Sequence, residues 1–379
     1  MHPSKLRLDI FEESKQELRT SFERRWQTND LQTFQFLSAN LSKCLPALPV
    51  AQHKDTYFDI LSYRVLQHID TQFSAQFSGI DDFAEFDYTA IKKHLPALFV
   101  SYHSGSYRSA IAFLVKYNID VVLIADPLAY KHNADKMTDQ FQLVKNTFNS
   151  SSDLVLYPAD QADLTVQIMG KMRKGYSVLA YVDGNAGTNG YYNRDNSLKI
   201  PFFGQEIFVR TGLATLSFYL KAPMIPMLSF YDENLKPRWN IYDPILPVKG
   251  EKDPGAYITN STRYLYGILE KALEKHYVQW EGWLFLHRYL DIERFNGLNS
   301  DTTAAPDVSA IMINDNIGLF VLDNKYYALN KDNYKLLELT EDVFHLFDKG
   351  NMDAIGERPA SDIHLLYKNG FLKERIYAA

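Results

Sequence analysis

A histidine stands in a short polar segment directly after an apolar run. The segment reads Tyr102-His103-Ser104-Gly105-Ser106-Tyr107-Arg108, and the apolar run covers residues 97–102. In an open α/β sheet, reactive groups collect beyond the carboxyl ends of the strands. A histidine there, at the start of a helix, would have a ring nitrogen free to take a proton. Position alone gives equal weight to the alternative, a polar loop histidine that only caps the helix.

Three further segments have residues that could take part in chemistry. Asp183 and Gly184 follow the apolar run 177–182. Asp183 would orient His103, hold a polar group of a substrate, or begin a turn, because Asp-Gly is a common turn dipeptide. Lys199-Ile200-Pro201-Phe202-Phe203-Gly204 would wall a groove for an apolar chain or form a packed turn. Lys221-Ala222-Pro223-Met224-Ile225-Pro226 leads into a strand and favours a structural interpretation.

Composition and motif content argue against several classes of function. The formal charge is −6 and no run of Lys or Arg occurs, so no nucleic-acid partner is predicted. The single cysteine, Cys44, excludes a disulfide framework and indicates a reducing compartment. The sequence lacks metal-ligand spacing, a Gly-rich phosphate loop and a Gly-x-Ser-x-Gly elbow. No metal and no bound cofactor are therefore predicted.

Short apolar runs alternate with amphipathic segments from residue 95 onward. The runs predict strands at residues 97–102, 121–125, 154–157, 177–182 and 224–230. The amphipathic segments predict helices at residues 106–117, 162–174, 211–221 and 256–275. This alternation predicts an α/β fold, with a largely parallel sheet covered by helices on both faces.

Two flanking regions complete the predicted organisation. Residues 1–94 form a helical N-terminal region, with helical patterns at 9–41 and 57–69, and residues 95–295 form the α/β domain. An Asn-, Ser- and Thr-rich linker then leads to a small α+β domain at residues 307–379. In that domain the sequence predicts a hairpin, 318–322 with 325–329, and helices at 341–348 and 361–369.

The cellular location follows from the apolar segments of the chain. The N-terminus has no apolar stretch of the kind found in signal peptides. The longest apolar runs fall far short of the roughly 20 residues that a membrane-spanning helix requires. The sequence therefore predicts a cytoplasmic protein without a transmembrane segment.

In their order along the chain, these motifs resemble the lysophospholipid acyltransferase superfamily. The resemblance covers about residues 95–290 and is greatest to the bacterial late lipid A biosynthesis acyltransferases. It rests on several short segments in sequence order: His103-x-Gly105-x-Tyr107, Asp183-Gly184, Pro201-Phe202-Phe203-Gly204, Ala222-Pro223 with Pro226, and Trp283 with His287-Arg288.

The resemblance implies an acyltransferase mechanism. His103 would be the general base that lets a hydroxyl or amine attack the thioester of an acyl carrier protein or coenzyme A. The backbone N–H groups of Ser104, Gly105 and Ser106 would stabilise the oxyanion. Phe202 and Phe203, with Gly204, would line the acyl groove, and Arg108 or Arg210 would bind an anionic part of donor or acceptor. Tyr107 and Gly184 complete the predicted substrate-binding set.

Two departures from the family pattern concern the mechanism. The family places a carboxylate five residues after the histidine, where this chain has Arg108. The carboxylate partner would then be Asp183 or Asp126, or it has been lost. A cation beside His103 would also lower the pKa of the ring. The family's N-terminal membrane helix is missing from the sequence, which favours a soluble acceptor over lipid A itself.

Residues 307–379 resemble the small winged-helix-like domains that bind precursor peptides, although an unrelated cap explains them at least as well. The resemblance would make a peptide or carrier the acceptor held by this domain.

Two other functions stay open. One is acyl or aminoacyl transfer to a carrier-bound natural-product intermediate, with Arg108 binding a substrate carboxylate. The other is a non-catalytic scaffold that binds a carrier or peptide.

Overall fold

A computed structural model describes residues 3–24, 29–73, 88–184, 194, 197–247, 253–296 and 307–375. The chain falls into two compact units. The first comprises Met1–Leu18 and Phe58–Gly282, and the second comprises Arg19–Tyr57 and Trp283–Ala379.

The N-terminal region is helical, as the sequence predicts. Its helices are α1 (Pro3–Arg24), α2 (Asn29–Cys44), α3 (His53–Phe73) and α4 (Tyr88–Lys92). The continuous helical pattern at residues 9–41 corresponds to two helices, α1 and α2, rather than to one.

The central sheet of the first unit has six strands in the order β3-β2-β4-β1-β7-β8, and the prediction of a largely parallel sheet is confirmed. The first five strands are parallel, and β8 pairs antiparallel with β7 at one edge. The strands are β1 (Leu98–Ser101), β2 (Val121–Ala125), β3 (Leu154–Pro158), β4 (Ser177–Tyr181), β7 (Met224–Tyr231) and β8 (Pro237–Ile241). A separate hairpin is formed by β5 (Ser197–Phe202) and β6 (Gln205–Arg210).

Helices flank this sheet because its central strands have no polar face. All four residues of β1 are buried, as expected of a strand covered on both sides. The helices are α5 (Ala110–Lys116), α6 (Pro127–Thr147), α7 (Leu164–Met172), α8 (Gly212–Leu220) and α9 (Pro254–His276). Phe99 of β1 and Phe113 of α5 are fully buried in one core cluster.

A buried ion pair ties α1 to α3 within the first unit. The guanidinium of Arg7 donates to the carboxylate of Asp70, with 2.5 Å between Nε and Oδ1, and both side chains are about nine-tenths buried. The hydroxyl of Tyr231, the last residue of β7, donates to the other oxygen of Asp70 at 2.7 Å. Two helices and the end of a sheet strand therefore share one carboxylate.

The second unit contains α2 and the small C-terminal domain. Its helices and strands are α10 (Glu293–Asn296), β9 (Ile311–Ile313), β10 (Ile317–Leu322), β11 (Lys325–Asn330), β12 (Leu336–Leu339), α11 (Glu341–Asp348), α12 (Met352–Gly356), α13 (Ala360–Lys368) and β13 (Leu372–Glu374). The predicted hairpin is β10–β11, which turns at Asp323 and Asn324, both with positive φ. Helix α11 has the bounds predicted from the sequence.

Replacing Asp70 by alanine should destabilise the first unit. Arg7 would remain buried without its counter-charge, which costs about 3–5 kcal/mol of unfolding free energy. Chemical denaturation would measure the change. Asp135→Ala, at an exposed position of α6, is the matched control and should alter stability by less than about 0.5 kcal/mol. Equal effects of the two substitutions would contradict a stabilising role for the pair.

Candidate active site

The register of the sheet brings His103 and Asp183 together. Strands β1 and β4 are parallel neighbours, and their last residues, Ser101 and Tyr181, are paired. His103 and Asp183 each lie two residues beyond this pair. Because parallel strands end at the same edge of the sheet, both side chains emerge there. The two predicted catalytic residues are therefore brought together by backbone pairing.

The carboxylate of Asp183 accepts hydrogen bonds from His103 and Trp280. His103 Nδ1 lies 2.9 Å from Oδ1, and the backbone N–H of His103 donates to Oδ2, also at 2.9 Å. The indole Nε1–H of Trp280 donates to Oδ2 at 2.7 Å. With a side chain only 2% exposed, Asp183 needs such partners to remain ionised. Asp126, the other candidate partner, instead caps α6 through the backbone N–H groups of Leu128 and Ala129.

The imidazole of His103 is held between two tyrosine rings and stays accessible. Its centroid lies 4.8 Å from the ring of Tyr107 and 4.7 Å from that of Tyr181. The side chain is 24% exposed. Because Asp183 fixes the proton on Nδ1, the lone pair of Nε2 is left to accept one. Among the described residues, Nε2 has no hydrogen-bond partner.

The pKa of His103 is raised from its ordinary value. Burial opposes the charged ring, but the negative charge and hydrogen bond of Asp183 outweigh it, and Glu281 adds to the effect. Arg108 does lower the pKa, as expected from its charge, but it is the smallest contribution. The expected effect of the cation is therefore present, but the carboxylates decide the direction in which the pKa of His103 shifts. In turn, burial alone would raise the pKa of Asp183, and the contacts with His103 and Trp280 lower it instead.

The segment after His103 is packed against the loop that follows α9. Ser104 forms a β-bridge with Trp280, and the backbone N–H of Gly105 donates to the carbonyl of Gln279 at 3.2 Å. The backbone N–H of Ser104 donates to the carbonyl of Tyr102. Two of the three N–H groups expected to bind an oxyanion are thus used within the protein. The 3-10 turn Tyr107–Ser109 follows, and α5 begins only at Ala110, so His103 does not stand at the helix N-terminus.

Gly105 allows this close packing. Its φ is +55°, and a Cβ atom there would lie 2.4 Å from the Cα atom of Phe230. A side chain at this position would displace either β7 or the loop that holds His103. Ser106 is also buried, and its side chain interacts with the hydroxyl of Tyr231, linking the loop to the Arg7–Asp70 pair. Gly184 lies on the other side of the histidine, where an added Cβ atom would come within 3.4 Å of His103 Cε1.

A cluster of charges surrounds Tyr107 at the exposed side of the site. Glu281 forms an ion pair with Arg64, with 3.1 Å between Nε and Oε2, and its other oxygen accepts from the hydroxyl of Tyr107 at 3.5 Å. The guanidinium of Arg108 lies over the ring of Tyr107, with Cζ 5.3 Å from the centroid. Two cations and one carboxylate therefore border the ring that contacts His103.

The Pro-Phe-Phe-Gly segment forms the tight turn of the β5–β6 hairpin. Phe203 and Gly204 both have positive φ, and the backbone N–H of Phe203 donates to Glu270 at 2.6 Å. Phe202 is fully buried, with its ring 5.6 Å from that of Trp280. It thus packs behind the indole that holds Asp183. Arg210 ends β6, about 17 Å along the strand from this turn at roughly 3.4 Å per residue. The acyl-groove role of Phe202 and Phe203 stays a prediction.

Sequence reasoning missed Trp280 and Glu281. The family resemblance pointed to Trp283 three residues later, which is fully buried and lies in the second unit. The available signal was the aromatic and acidic composition of Trp280-Glu281-Gly282-Trp283 directly after a long amphipathic helix. Arg64 and Tyr181 were missed as well, because nothing in their local sequence differs from an ordinary helix and strand.

The fold and the site together define a class of protein. A largely parallel open sheet has at its carboxyl edge a histidine paired with a buried carboxylate, so this edge has a group that can accept a proton. Residues 68–290 match the family described as bacterial lipid A biosynthesis acyltransferase. The match covers more than half of the chain, which therefore belongs to this family and is an acyltransferase of the lipid A type.

The sequence has no significant match among curated proteins. Within the described ranges, none of the helices is both long and apolar enough to cross a membrane.

Substituting Gly105 by alanine should disturb both stability and the site. The positive φ and the clash with the Phe230 backbone together cost about 2–4 kcal/mol. Chemical denaturation would measure this loss. Gly170→Ala is the matched control, because Gly170 lies in α7 with open space around its Cα, and alanine there should stabilise by up to about 1 kcal/mol. Full stability of Gly105→Ala would contradict the close approach of β7.

Proposed function

We propose that the protein transfers an acyl group from the thioester of an acyl carrier protein or coenzyme A to a hydroxyl or amine, with His103 as the general base. The observation that supports this is the pairing of His103 Nδ1 with the buried carboxylate of Asp183. It leaves Nε2 as a proton acceptor at an accessible position. In this proposal Asp183 replaces the family carboxylate whose position is occupied by Arg108.

The reaction would proceed by direct transfer. Nε2 of His103 takes the proton of the acceptor as its oxygen or nitrogen attacks the thioester carbonyl. The tetrahedral intermediate then collapses, the carbon–sulfur bond breaks, and the imidazolium returns the proton to the leaving thiolate. Asp183 stabilises the imidazolium between these steps and keeps the proton on Nδ1. No bound cofactor is needed in this sequence.

A covalent acyl-enzyme is not part of the proposal. Ser104 is 1% exposed, so its hydroxyl is poorly placed to meet a donor. Cys44 is buried and belongs to the second unit. His103 would therefore act on the acceptor rather than on a nucleophile of the protein.

The second candidate is acyl or aminoacyl transfer to a carrier-bound intermediate. It is favoured by the exposed Arg108 beside the site, where the family has an acid. The donor chemistry and the role of His103 would be the same, and only the acceptor would differ. Binding of a peptide or carrier by residues 307–379 remains a proposal in either case.

Replacing His103 by alanine should lower acyl transfer by about 10²–10⁴-fold, because the proton of the acceptor would have no base. Asp183→Asn should also reduce transfer strongly, since the amide cannot stabilise the imidazolium. Intact-mass spectrometry of candidate acceptors, incubated with acyl carrier protein or coenzyme A thioesters, would measure the products.

Asp126→Asn is the matched control, because an asparagine can still cap α6 and Asp126 does not contact His103. It should retain wild-type transfer. Transfer that survives His103→Ala would place the base elsewhere. Carrier binding without transfer by any variant, the wild type included, would favour the scaffold function.

The pH dependence of transfer should show the raised pKa of His103. The base works only when it is neutral, so kcat/KM should fall as the pH decreases through the His103 pKa, which lies above the ordinary 6.5. Asp183→Asn removes the charge that raises this pKa, and burial then lowers it. The acidic limb of the kcat/KM profile of Asp183→Asn should therefore move to lower pH, while the maximum rate of this variant decreases. An unchanged limb would argue against His103 as the titrating group.

A further inference from the structure

We infer that Arg108 binds a carboxylate of the acceptor, so that the acceptor is a monoanionic amino or hydroxy acid, or a larger molecule that presents one. The inference rests on the proposed function for the position of the reacting atoms. It adds to that function the chemical class of the acceptor and a second role for the bound anion.

The position of Arg108 relative to the base is the first argument. Both residues contact the ring of Tyr107, whose centroid lies 4.8 Å from that of His103 and 5.3 Å from Cζ of Arg108. The guanidinium is close enough for its charge to affect the proton affinity of His103. Because both residues contact one ring, an acceptor whose carboxylate met Arg108 would lie on the His103 side of the protein, with its amine or hydroxyl directed toward that histidine.

The distribution of charge is the second argument. Glu281 is the carboxylate of this cluster, and both of its oxygens are engaged, one by Arg64 and the other by Tyr107. In the part of the chain that the structure describes, Arg108 has no carboxylate oxygen within ion-pair distance. Its side chain is exposed and interacts with Tyr107. The cluster of Arg64, Arg108 and Glu281 therefore has one positive charge in excess.

This excess fits a carboxylate better than a phosphate monoester. A single excess charge is neutralised by a monoanion, whereas a dianion would also be repelled by Glu281. The guanidinium is planar and offers parallel N–H groups that match the two oxygens of a carboxylate. The contact with the Tyr107 ring restricts the guanidinium and reduces the entropy lost on binding.

A carboxylate bound there would also activate the base. Arg108 lowers the proton affinity of His103, and an anion on the guanidinium would cancel that effect. The charged groups with the largest effects on the His103 ring are Asp183, Glu281 and Arg108, and Arg64 lies beyond them, paired with Glu281. The proton affinity of His103 would therefore rise only while the acceptor, which supplies the proton to be removed, is bound.

Nuclear magnetic resonance of the full-length protein with isotope-labelled histidine would test this inference without catalysis. The His103 ring signals, assigned through their loss in His103→Asn, would be titrated with pH in the presence of N-acetylglycine, N-acetylglycinamide or inorganic phosphate. N-acetylglycine should raise the His103 pKa, whereas the neutral amide should leave it unchanged. Phosphate should act more weakly than N-acetylglycine.

Arg108→Gln should raise the His103 pKa in the absence of any ligand. It should also raise, at least tenfold, the concentration of N-acetylglycine that half-saturates the response. Arg173→Gln is the matched control. Arg173 follows α7 at the amino end of β4, at the opposite edge of the sheet. This variant should respond like the wild type. A His103 pKa that N-acetylglycine does not move, a response that persists in Arg108→Gln, or a response to phosphate alone would overturn the inference.

A transfer assay separates this inference from the proposed function. Serine and serinamide would be compared as acceptors of a lauroyl thioester, and the wild type should prefer serine at least tenfold in kcat/KM. Arg108→Gln should remove this preference. Transfer with equal preference in both proteins would refute the carboxylate site and leave the acyltransfer proposal intact. If the His103 pKa responded to the carboxylate but transfer did not depend on His103, the carboxylate site would stand. The general-base proposal would then be refuted.

Discussion

The buried carboxylate of Asp183 is the constraint on which the site depends. An ionised group that is almost completely removed from water is stable only if its hydrogen-bonding capacity is satisfied. Here the donors are the backbone and ring of His103 and the indole of Trp280. The same contacts that keep the carboxylate charged also fix the tautomer of the base and the position of the loop after α9. The same hydrogen bonds of Asp183 thus stabilise its charge and orient His103.

The surroundings of this carboxylate depend on backbone geometry as well as on specific side chains. The pairing of β1 with β4 determines where His103 and Asp183 emerge, and Gly105 lets the next segment pass against β7. Tyr231 and Ser106 then connect that segment to the buried Arg7–Asp70 pair. Side-chain chemistry at the exposed rim, around Arg108 and Glu281, can therefore vary without altering the frame.

The sequence predicted the sheet well because its parallel strands are continuous apolar runs with Gly or polar residues at their ends. Asp183 could be proposed as the partner of His103, yet only the strand register distinguishes it from Asp126. The composition around Trp280 is unusual, but its contact with Asp183 could not be predicted, because it joins residues 97 positions apart. The hydrogen bond of the Gly105 N–H group likewise depends on the distant loop around Gln279. Local patterns contain no information about such long-range partners.

The separation of these partners along the chain has a consequence for folding. The hydrogen bonds of Asp183 close loops of 80 and 97 residues, and such contacts form only after most of the intervening chain is ordered. A ribosome-bound chain that ends before residue 280 already contains His103 and Asp183, but it lacks the indole that completes the carboxylate's environment. We therefore expect the orientation of the histidine to be acquired late, and its ring signals to report completed folding of the whole unit.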